Sequence, residues 1–127
     1  MTKDDTAAEV EGTPLLGLTV RWSLRDAHPE TARALATYVE ETSHARFTGM
    51  SGLRFKTWRM KPGEWFEGCY VFESEAARVA FQQQFEADAA DAPGSTLVGA
   101  PPELIEPCVV VAVAEGAAGF AAAPSYR

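Results

Sequence analysis

The order of strand-like and helix-like periodicity along the chain constrains its fold more than any other feature. Apolar and polar residues alternate in the first strand and recur at helical spacing in the segment that follows it. The predicted elements, in chain order, are a strand from Leu16 to Leu24, a helix from about Asp26 to Phe47, strands from Leu53 to Met60 and Trp65 to Glu73, a helix after Ser74, and a strand within Glu106 to Glu115. This order predicts a ferredoxin-like α+β fold, βαββαβ, with four antiparallel strands in spatial order four, one, three, two and two helices on one face.

Turn and cap signals mark the boundaries of these elements. Lys61-Pro62-Gly63-Glu64 is typical of a tight turn, so strands two and three should form an antiparallel hairpin. Ser74 is a suitable N-cap for the second helix. Ala92-Pro93-Gly94 is predicted to end that helix.

The 127 residues are enough for one compact domain and too few for two. We predict that residues 15–115 form the domain. Residues 1–14 show no periodicity and are predicted to be a flexible leader, and the Ala- and Gly-rich residues 116–127 a flexible tail.

Composition excludes several classes of function. A net charge of −7 disfavours a nucleic-acid partner, which would need a basic surface. No apolar run approaches the ~20 residues of a membrane span, and no secretory signal is evident. Cys69 and Cys108 are predicted to be reduced thiols of a cytoplasmic protein, and the spacing of His28 and His44 predicts no metal site.

The helices leave one face of the sheet uncovered. That face must either be buried against another protein surface or remain exposed to solvent. The last predicted strand, Cys108-Val109-Val110-Val111-Ala112-Val113, is apolar on both sides. We therefore expect a homodimer in which the uncovered faces of two sheets pack against each other. The alternative is a monomer whose uncovered face is exposed to solvent.

Two segments carry a resemblance to a known family. Gly52-Leu53-Arg54-Phe55-Lys56-Thr57-Trp58 and Glu67-Gly68-Cys69-Tyr70-Val71-Phe72-Glu73-Ser74 resemble the YdhR-like monooxygenase family of the dimeric α/β-barrel superfamily. The resemblance covers about residues 15–115. It implies a homodimer with an apolar pocket between sheet and helices in each subunit. Some members of that superfamily oxidise polycyclic phenols with molecular oxygen and neither metal nor flavin, so the resemblance implies no cofactor.

The family pattern also points to site residues. One branch of the superfamily uses an Asn, a Trp and a Tyr near the substrate; Trp58 and Tyr70 match the pattern, whereas this chain contains no Asn. Together with His44, a possible base near a helix end, they are the candidate catalytic residues. The candidate substrate-binding residues are Trp22, Tyr38, Phe55, Arg54, Gly68 and Phe72. The alternative is that the aromatics are core residues, that His44 faces solvent, and that the strand arginines pair with glutamates across the hairpin.

These observations lead to three functional hypotheses. The leading one is a cofactor-independent monooxygenase that oxidises a bulky aromatic or polyketide-like molecule, as in antibiotic biosynthesis. The second is a redox-neutral cyclase or isomerase that uses the same pocket. The third is a binding or stress protein without turnover.

Overall fold

The computed structural model describes residues 12–120, which contain a four-stranded antiparallel sheet with helices packed on one face. The strands are β1 (Gly17–Ser23), β2 (Leu53–Lys61), β3 (Trp65–Phe72) and β4 (Leu104–Cys108). Their order in the sheet is β2-β3-β1-β4, and every neighbouring pair is antiparallel. The predicted ferredoxin-like α+β fold and strand order are confirmed.

The first helical segment contains a π-helical turn that the sequence pattern did not predict. Helix α1 (Thr31–Tyr38) passes through this turn (Val39–Ser43) into α2 (His44–Phe47). The side chains it buries are spaced four residues apart: Thr31, Leu35, Val39, Ser43 and Phe47. An α-helix has 3.6 residues per turn, so side chains spaced four residues apart would gradually rotate away from the sheet. The wider π turn offsets this rotation and keeps the buried side chains facing the sheet.

Helix α3 (Glu75–Ala87) begins as predicted and ends earlier than predicted. The Ser74 hydroxyl accepts a hydrogen bond from the Ala77 backbone N–H at 3.1 Å, which confirms the N-cap. The prediction that Ala92-Pro93-Gly94 ends this helix is wrong. A short 3-10 turn (Ala89–Asp91) follows α3, and Pro93 is the first residue of a further helix, α4 (Pro93–Val98), because proline suits the start of a helix.

The core lies between the sheet and these helices. Alternate residues of β1 and β3 point toward the helices, because the register pairs Leu18 with Tyr70 and Trp22 with Phe66. The buried apolar residues are Leu18, Val20, Trp22, Leu24, Leu35, Val39, Phe47, Phe66, Tyr70 and Phe72. One wall of this layer is therefore strongly aromatic, and it faces α2 and α3.

The last strand lies earlier in the chain than predicted. β4 runs from Leu104 to Cys108, and its ladder ends where Cys108 pairs with Gly17, the first residue of β1. The apolar residues that follow have no strand partner among residues 12–120. Val111 is 93% exposed and Val113 is 51% exposed. The apolar run that predicted a strand from Glu106 to Glu115 is thus mostly outside the sheet.

The outer face of the sheet is polar at its centre. Glu67 is 1% exposed, and its carboxylate accepts hydrogen bonds from Arg21 Nε at 2.9 Å and Arg59 Nε at 2.8 Å. Both guanidinium groups also form ion pairs with Glu67. Arg21 and Arg59 therefore pair with a glutamate across the sheet, which is one of the two alternatives considered for the strand arginines.

Parts of the predicted leader (residues 1–14) and tail (residues 116–127) lie outside the described residues, which begin at 12 and end at 120. Within that range, no helix has the length and apolar character needed to cross a bilayer.

Candidate functional site

A small pocket opens between the inner face of the sheet and the helices. Its volume is about 50 Å³. Most of its wall is aromatic, and the aromatic lining residues are Trp22, Tyr38, Phe47, Trp58, Phe66, Tyr70, Phe81 and Phe85. The polar side chains in the lining are Ser43, Arg46 and Lys56, together with the Tyr38 and Tyr70 hydroxyls and the two indole N–H groups. Among residues 12–120, no aspartate or glutamate contributes to the lining.

The amine of Lys56 lies inside this aromatic wall. Its Nζ is 3.6 Å from the ring centroid of Phe47 and 4.4 Å from those of both Trp58 and Tyr70. Lys56 forms no ion pair with any carboxylate within residues 12–120. An amine enclosed by apolar rings and lacking a counterion is unusual, since buried charges are normally paired.

The register of β2 explains why Lys56 points inward. A bulge at Arg54 shifts the pairing, so that Leu53 is opposite Phe72 and Phe55 is opposite Val71. After the bulge, Lys56, Trp58 and Met60 face the helices in strict alternation.

Gly68 makes room for the amine. A Cβ atom at Gly68 would lie 3.1 Å from Lys56 Cε and 3.3 Å from the Tyr70 hydroxyl. Both groups therefore extend across the glycine, and a side chain at this position would displace them.

Burial changes the protonation of both groups. Desolvation, reinforced by the nearby positive charge of Arg46, lowers the pKa of Lys56 from 10.5 to about 6. Desolvation also raises the pKa of Tyr70 above its usual value of 10. At neutral pH the site therefore contains an uncharged amine, which is a base, beside a protonated phenol, which is an acid.

Hydrogen bonds fix two tryptophans in the pocket wall. Trp58 Nε1 donates to Ser43 Oγ at 3.1 Å, and Trp22 Nε1 donates to Ser95 Oγ at 3.0 Å. Ser43 is supplied by the π turn, so this irregularity in the helix also orients the ring that stands over Lys56. The pocket is thus built on regular elements with fixed side chains.

The structure brings together part of the predicted site. Five of the predicted residues line the pocket: Trp22, Tyr38, Trp58, Gly68 and Tyr70. His44, the first residue of α2, is not among the lining residues, although its ring centroid lies 5.8 Å from that of Trp58.

Three predicted substrate-binding residues lie elsewhere. Phe55 faces the opposite side of the sheet, because the bulge places it opposite Val71, and it stacks on Phe120. Arg54 is exposed at the bulge itself. Phe72 is buried beneath the pocket, where its ring stacks on Tyr70 at 5.9 Å. These three residues therefore lie outside the lining of this pocket.

Lys56 and Arg46 are the functional candidates that the sequence reasoning missed. A lysine two positions before Trp58 in a strand shares its face, so strict alternation was a signal that could have identified Lys56. Arg46 gave no such signal, because its approach to the pocket depends on how the π turn orients α2.

Metal ligands do not cluster in the described part of the chain. Among residues 12–120, no group of three or more His, Cys, Asp or Glu side chains is arranged to hold a metal ion. Cys69 and Cys108 are both free thiols. Burial and the adjacent Glu67 carboxylate raise the pKa of the Cys69 thiol, which disfavours its reactive thiolate form.

Comparisons with known proteins establish the fold and not a family. No family model matches the chain, and no curated protein matches it. A similar solved structure is the crystal structure of the NE2512 protein of unknown function from Nitrosomonas europaea. The two chains share 28% sequence identity with a TM-score of 0.58, over 80% of this chain and 94% of the other. The chain therefore shares its architecture with a protein described as being of unknown function.

Proposed function

We propose that the chain is an enzyme that removes a proton from a compact phenol or enol with Lys56 and then oxidises the resulting anion with molecular oxygen. The observation that carries the proposal is the amine of Lys56, held among three aromatic rings without a counterion. This is the cofactor-independent monooxygenase chemistry that the resemblance to YdhR-like proteins implies.

The proton transfer uses groups that are already in place. The uncharged Lys56 amine accepts the acidic proton of the substrate and becomes an ammonium beside the new anion. Arg46 adds a second positive charge in the pocket lining, and no carboxylate of the described part of the chain lines the pocket to oppose the anion. The rings of Trp58 and Tyr70 are fixed planes against which an aromatic substrate stacks.

The oxidation step balances without an added reductant. The substrate loses two hydrogen atoms and gains one oxygen atom, while the second oxygen atom of dioxygen leaves as water. All of the electrons come from the substrate anion. The protein contributes the base, the orientation of the ring and the exclusion of water.

The volume of the pocket limits the size of the expected substrate. Sites for drug-sized molecules enclose about 300–1,000 Å³, whereas this cavity is about 50 Å³ within one chain. We therefore propose a single-ring phenol or a short enol, whose reacting end enters the cavity, in place of the bulky polyketide-like molecule expected from the sequence.

A redox-neutral isomerase is the second candidate, and a specific arrangement favours it. Lys56 and Tyr70 both extend across Gly68, so that a base and an acid face the same small space. Such a pair can take a proton from one atom of a substrate and return a proton to another.

Product mass distinguishes these possibilities. Purified protein would be incubated with single-ring phenols and 1,3-diketones, with isotopically labelled dioxygen or under argon. The oxygenase proposal predicts one labelled oxygen atom in the product, a loss of at least tenfold in turnover for Lys56→Met, and unchanged turnover for the control Lys61→Met, which changes an exposed lysine. A product of unchanged mass that forms equally under argon would establish the isomerase instead. Absence of any product would favour a binding protein.

We also propose that the protein forms a homodimer. β4 is an edge strand, and the exposed Val111 and Val113 follow it directly. Unpaired edges followed by apolar residues favour pairing with a second chain. A dimeric mass by light scattering that becomes monomeric in Val111→Glu would support this proposal, and a monomeric wild-type protein at high concentration would contradict it.

We further propose that the protein is cytoplasmic. The support is its two unpaired thiols, Cys69 and Cys108, since exported proteins generally oxidise their cysteines.

A further inference from the structure

We propose that Lys56 forms a reversible Schiff base with small 2-oxo acids, with the carbonyl carbon at Nζ and the carboxylate at Arg46. The inference rests on the proposed function in one respect: it needs the uncharged, accessible amine assigned there. It requires no reaction with oxygen. The ligand class is a short molecule that carries a ketone or aldehyde next to a carboxylate, such as pyruvate or glyoxylate.

The surroundings of the amine favour nucleophilic reaction. A lysine amine attacks a carbonyl only when it is uncharged, and a carboxylate partner would hold it in the ammonium form. Lys56 is surrounded by ring faces, and within residues 12–120 it has no acidic partner. Lys56 lines the cavity, and the missing side chain at Gly68 leaves room for it.

The basic side chains that line the pocket favour binding of an anionic ligand. The whole chain carries a net charge of −7, yet the ionisable side chains in the lining are two bases, Lys56 and Arg46, and two tyrosines. The Arg46 guanidinium carbon lies 4.9 Å from the Phe47 ring centroid, so both basic groups lie against the same ring. Arg46 is exposed at the pocket mouth, and it forms no ion pair with a described carboxylate. Its planar fork of donors therefore remains available to a ligand carboxylate.

The size of the cavity limits the ligand to a short chain. A cavity of about 50 Å³ has room for roughly three to five water-sized groups. The carbonyl end of a two- or three-carbon oxo acid fits this space, and its carboxylate remains at the open mouth beside Arg46. A sugar or a polycyclic compound would not fit.

The chemical step balances. The Nζ lone pair attacks the carbonyl carbon to form a carbinolamine, and loss of water then gives the imine. Tyr70, which burial keeps protonated, lies beside Lys56; it supplies the proton that the departing hydroxide needs and takes back the proton that Nζ loses as the imine forms. Amine and carbonyl compound become imine and water, with no oxidant or reductant.

Reductive trapping tests the inference. The full chain would be incubated under argon with pyruvate and sodium cyanoborohydride, and its intact mass and proteolytic peptides would be measured. We expect one adduct per chain, heavier by the mass of pyruvate less one oxygen atom, on the peptide that contains Lys56. The chain has only two other lysines, Lys3 and Lys61, which serve with the amino terminus as internal competitors. Adducts spread over all amines, or none at Lys56, would overturn the inference.

Variants test the two recognition elements separately. Lys56→Arg should abolish the adduct, whereas Lys61→Arg should leave it unchanged. Arg46→Gln should slow trapping of pyruvate at least fivefold while slowing trapping of the uncharged ketone acetone less than twofold. Equal slowing of both would overturn the role of Arg46 in binding the carboxylate. The wild-type result does not depend on any variant folding correctly.

The outcomes for this inference and for the proposed function are distinguishable. Trapping at Lys56 without oxygen-dependent turnover would support the inference and remove the oxygenase. Oxygen-dependent turnover without trapping would overturn the inference and leave the oxygenase in place.

Discussion

Lys56 Nζ lies 3.6 Å from the centroid of the Phe47 ring, within the layer that joins the sheet to its helices. A cation over an aromatic ring gains about 0.5–2 kcal/mol. Lowering a lysine pKa from 10.5 to about 6 corresponds to about 6 kcal/mol of penalty on the charged form. Desolvation therefore outweighs the attraction of the rings, and the amine is uncharged at neutral pH.

The pH dependence of stability should report this uncharged amine. The unfolded chain binds a proton at Lys56 below pH 10.5, whereas the folded chain binds it only below about pH 6. Between these values the unfolded state holds more protons, so this group makes wild-type stability rise with pH across that range. Lys56→Met, which removes the group, should unfold with a free energy higher by a few kcal/mol at pH 6.

The measurement is urea unfolding of wild type and Lys56→Met across this pH range, with Lys61→Met as the exposed control. The difference between wild type and Lys56→Met should shrink steadily toward alkaline pH. A difference that does not change with pH would mean that Lys56 has no shifted pKa.

Gly68→Ala should close the pocket without destroying the fold. The new methyl group would stand 3.1 Å from Lys56 Cε and 3.2 Å from Tyr70 Cε1, so both side chains must move. We expect a loss of about 1–3 kcal/mol in stability, as in other overpacked sites, and a loss of trapping at Lys56. Thermal unfolding and peptide mapping would measure both effects. Gly116→Ala, where a methyl group meets nothing within 4 Å, is the matched control; unchanged trapping in Gly68→Ala would contradict the geometry.

Glu67→Gln should destabilise the protein through the outer face. The change leaves Arg21 and Arg59 without the buried charge that they share, which should cost about 1–3 kcal/mol at neutral pH. Burial alone would raise the pKa of Glu67, but hydrogen bonds from Arg59, Arg21 and Cys69 outweigh it and hold the pKa below its usual 4.5.

This ion-pair stabilisation is fully present above pH 4.5 and is lost as pH falls through the lowered pKa of Glu67. The advantage of wild type over Glu67→Gln in urea unfolding should therefore shrink in acid. The exposed Glu73→Gln serves as control. A stability difference between wild type and Glu67→Gln that grows as the pH falls would contradict this prediction.

Ser43→Ala should loosen Trp58. The substitution removes the acceptor of the Trp58 indole N–H, at a cost of about 1 kcal/mol, and frees the ring to turn. Tryptophan fluorescence should shift, and trapping at Lys56 should slow. Ser95→Ala, which affects Trp22 on the opposite wall, provides the comparison. Identical effects of both variants on Lys56 would argue that Ser43 has no particular role in orienting Trp58.

The sequence was sufficient for the architecture because each element carried a local signal. Period-two alternation, the Lys61–Glu64 turn and the Ser74 cap each indicate a boundary, and together they predicted four strands and two helical segments. The further helix α4 was not predicted, because Ala92-Pro93-Gly94 was interpreted as the end of α3. The last strand was misplaced for a physical reason: an apolar run indicates burial or pairing but does not identify the partner. Here the ladder stops at Cys108 because β1 begins at Gly17.

The site was less predictable than the fold. Trp58 and Tyr70 were expected on the same wall of the pocket. The alternation of side chains along β2 would have placed Lys56 on that wall too. Phe55 was placed among the substrate-binding residues although alternation counted back from Trp58 puts it on the opposite face of β2. The bulge lies before it, at Arg54, and nothing in the composition of Leu53-Arg54-Phe55 marks that bulge. Arg46 depended on a π turn, which arises from the packing of several elements.

The most direct test of the uncharged buried amine is an NMR titration of the lysine ε-methylene groups. The chain contains three lysines, and Lys56→Arg assigns the relevant signal. We predict that the Lys56 ε-carbon and ε-protons titrate with a midpoint near pH 6. A Lys56 signal that stays constant from pH 5 to 9 and moves only near 10.5 would contradict the account, because the amine would then be charged at neutral pH and could act neither as base nor as nucleophile.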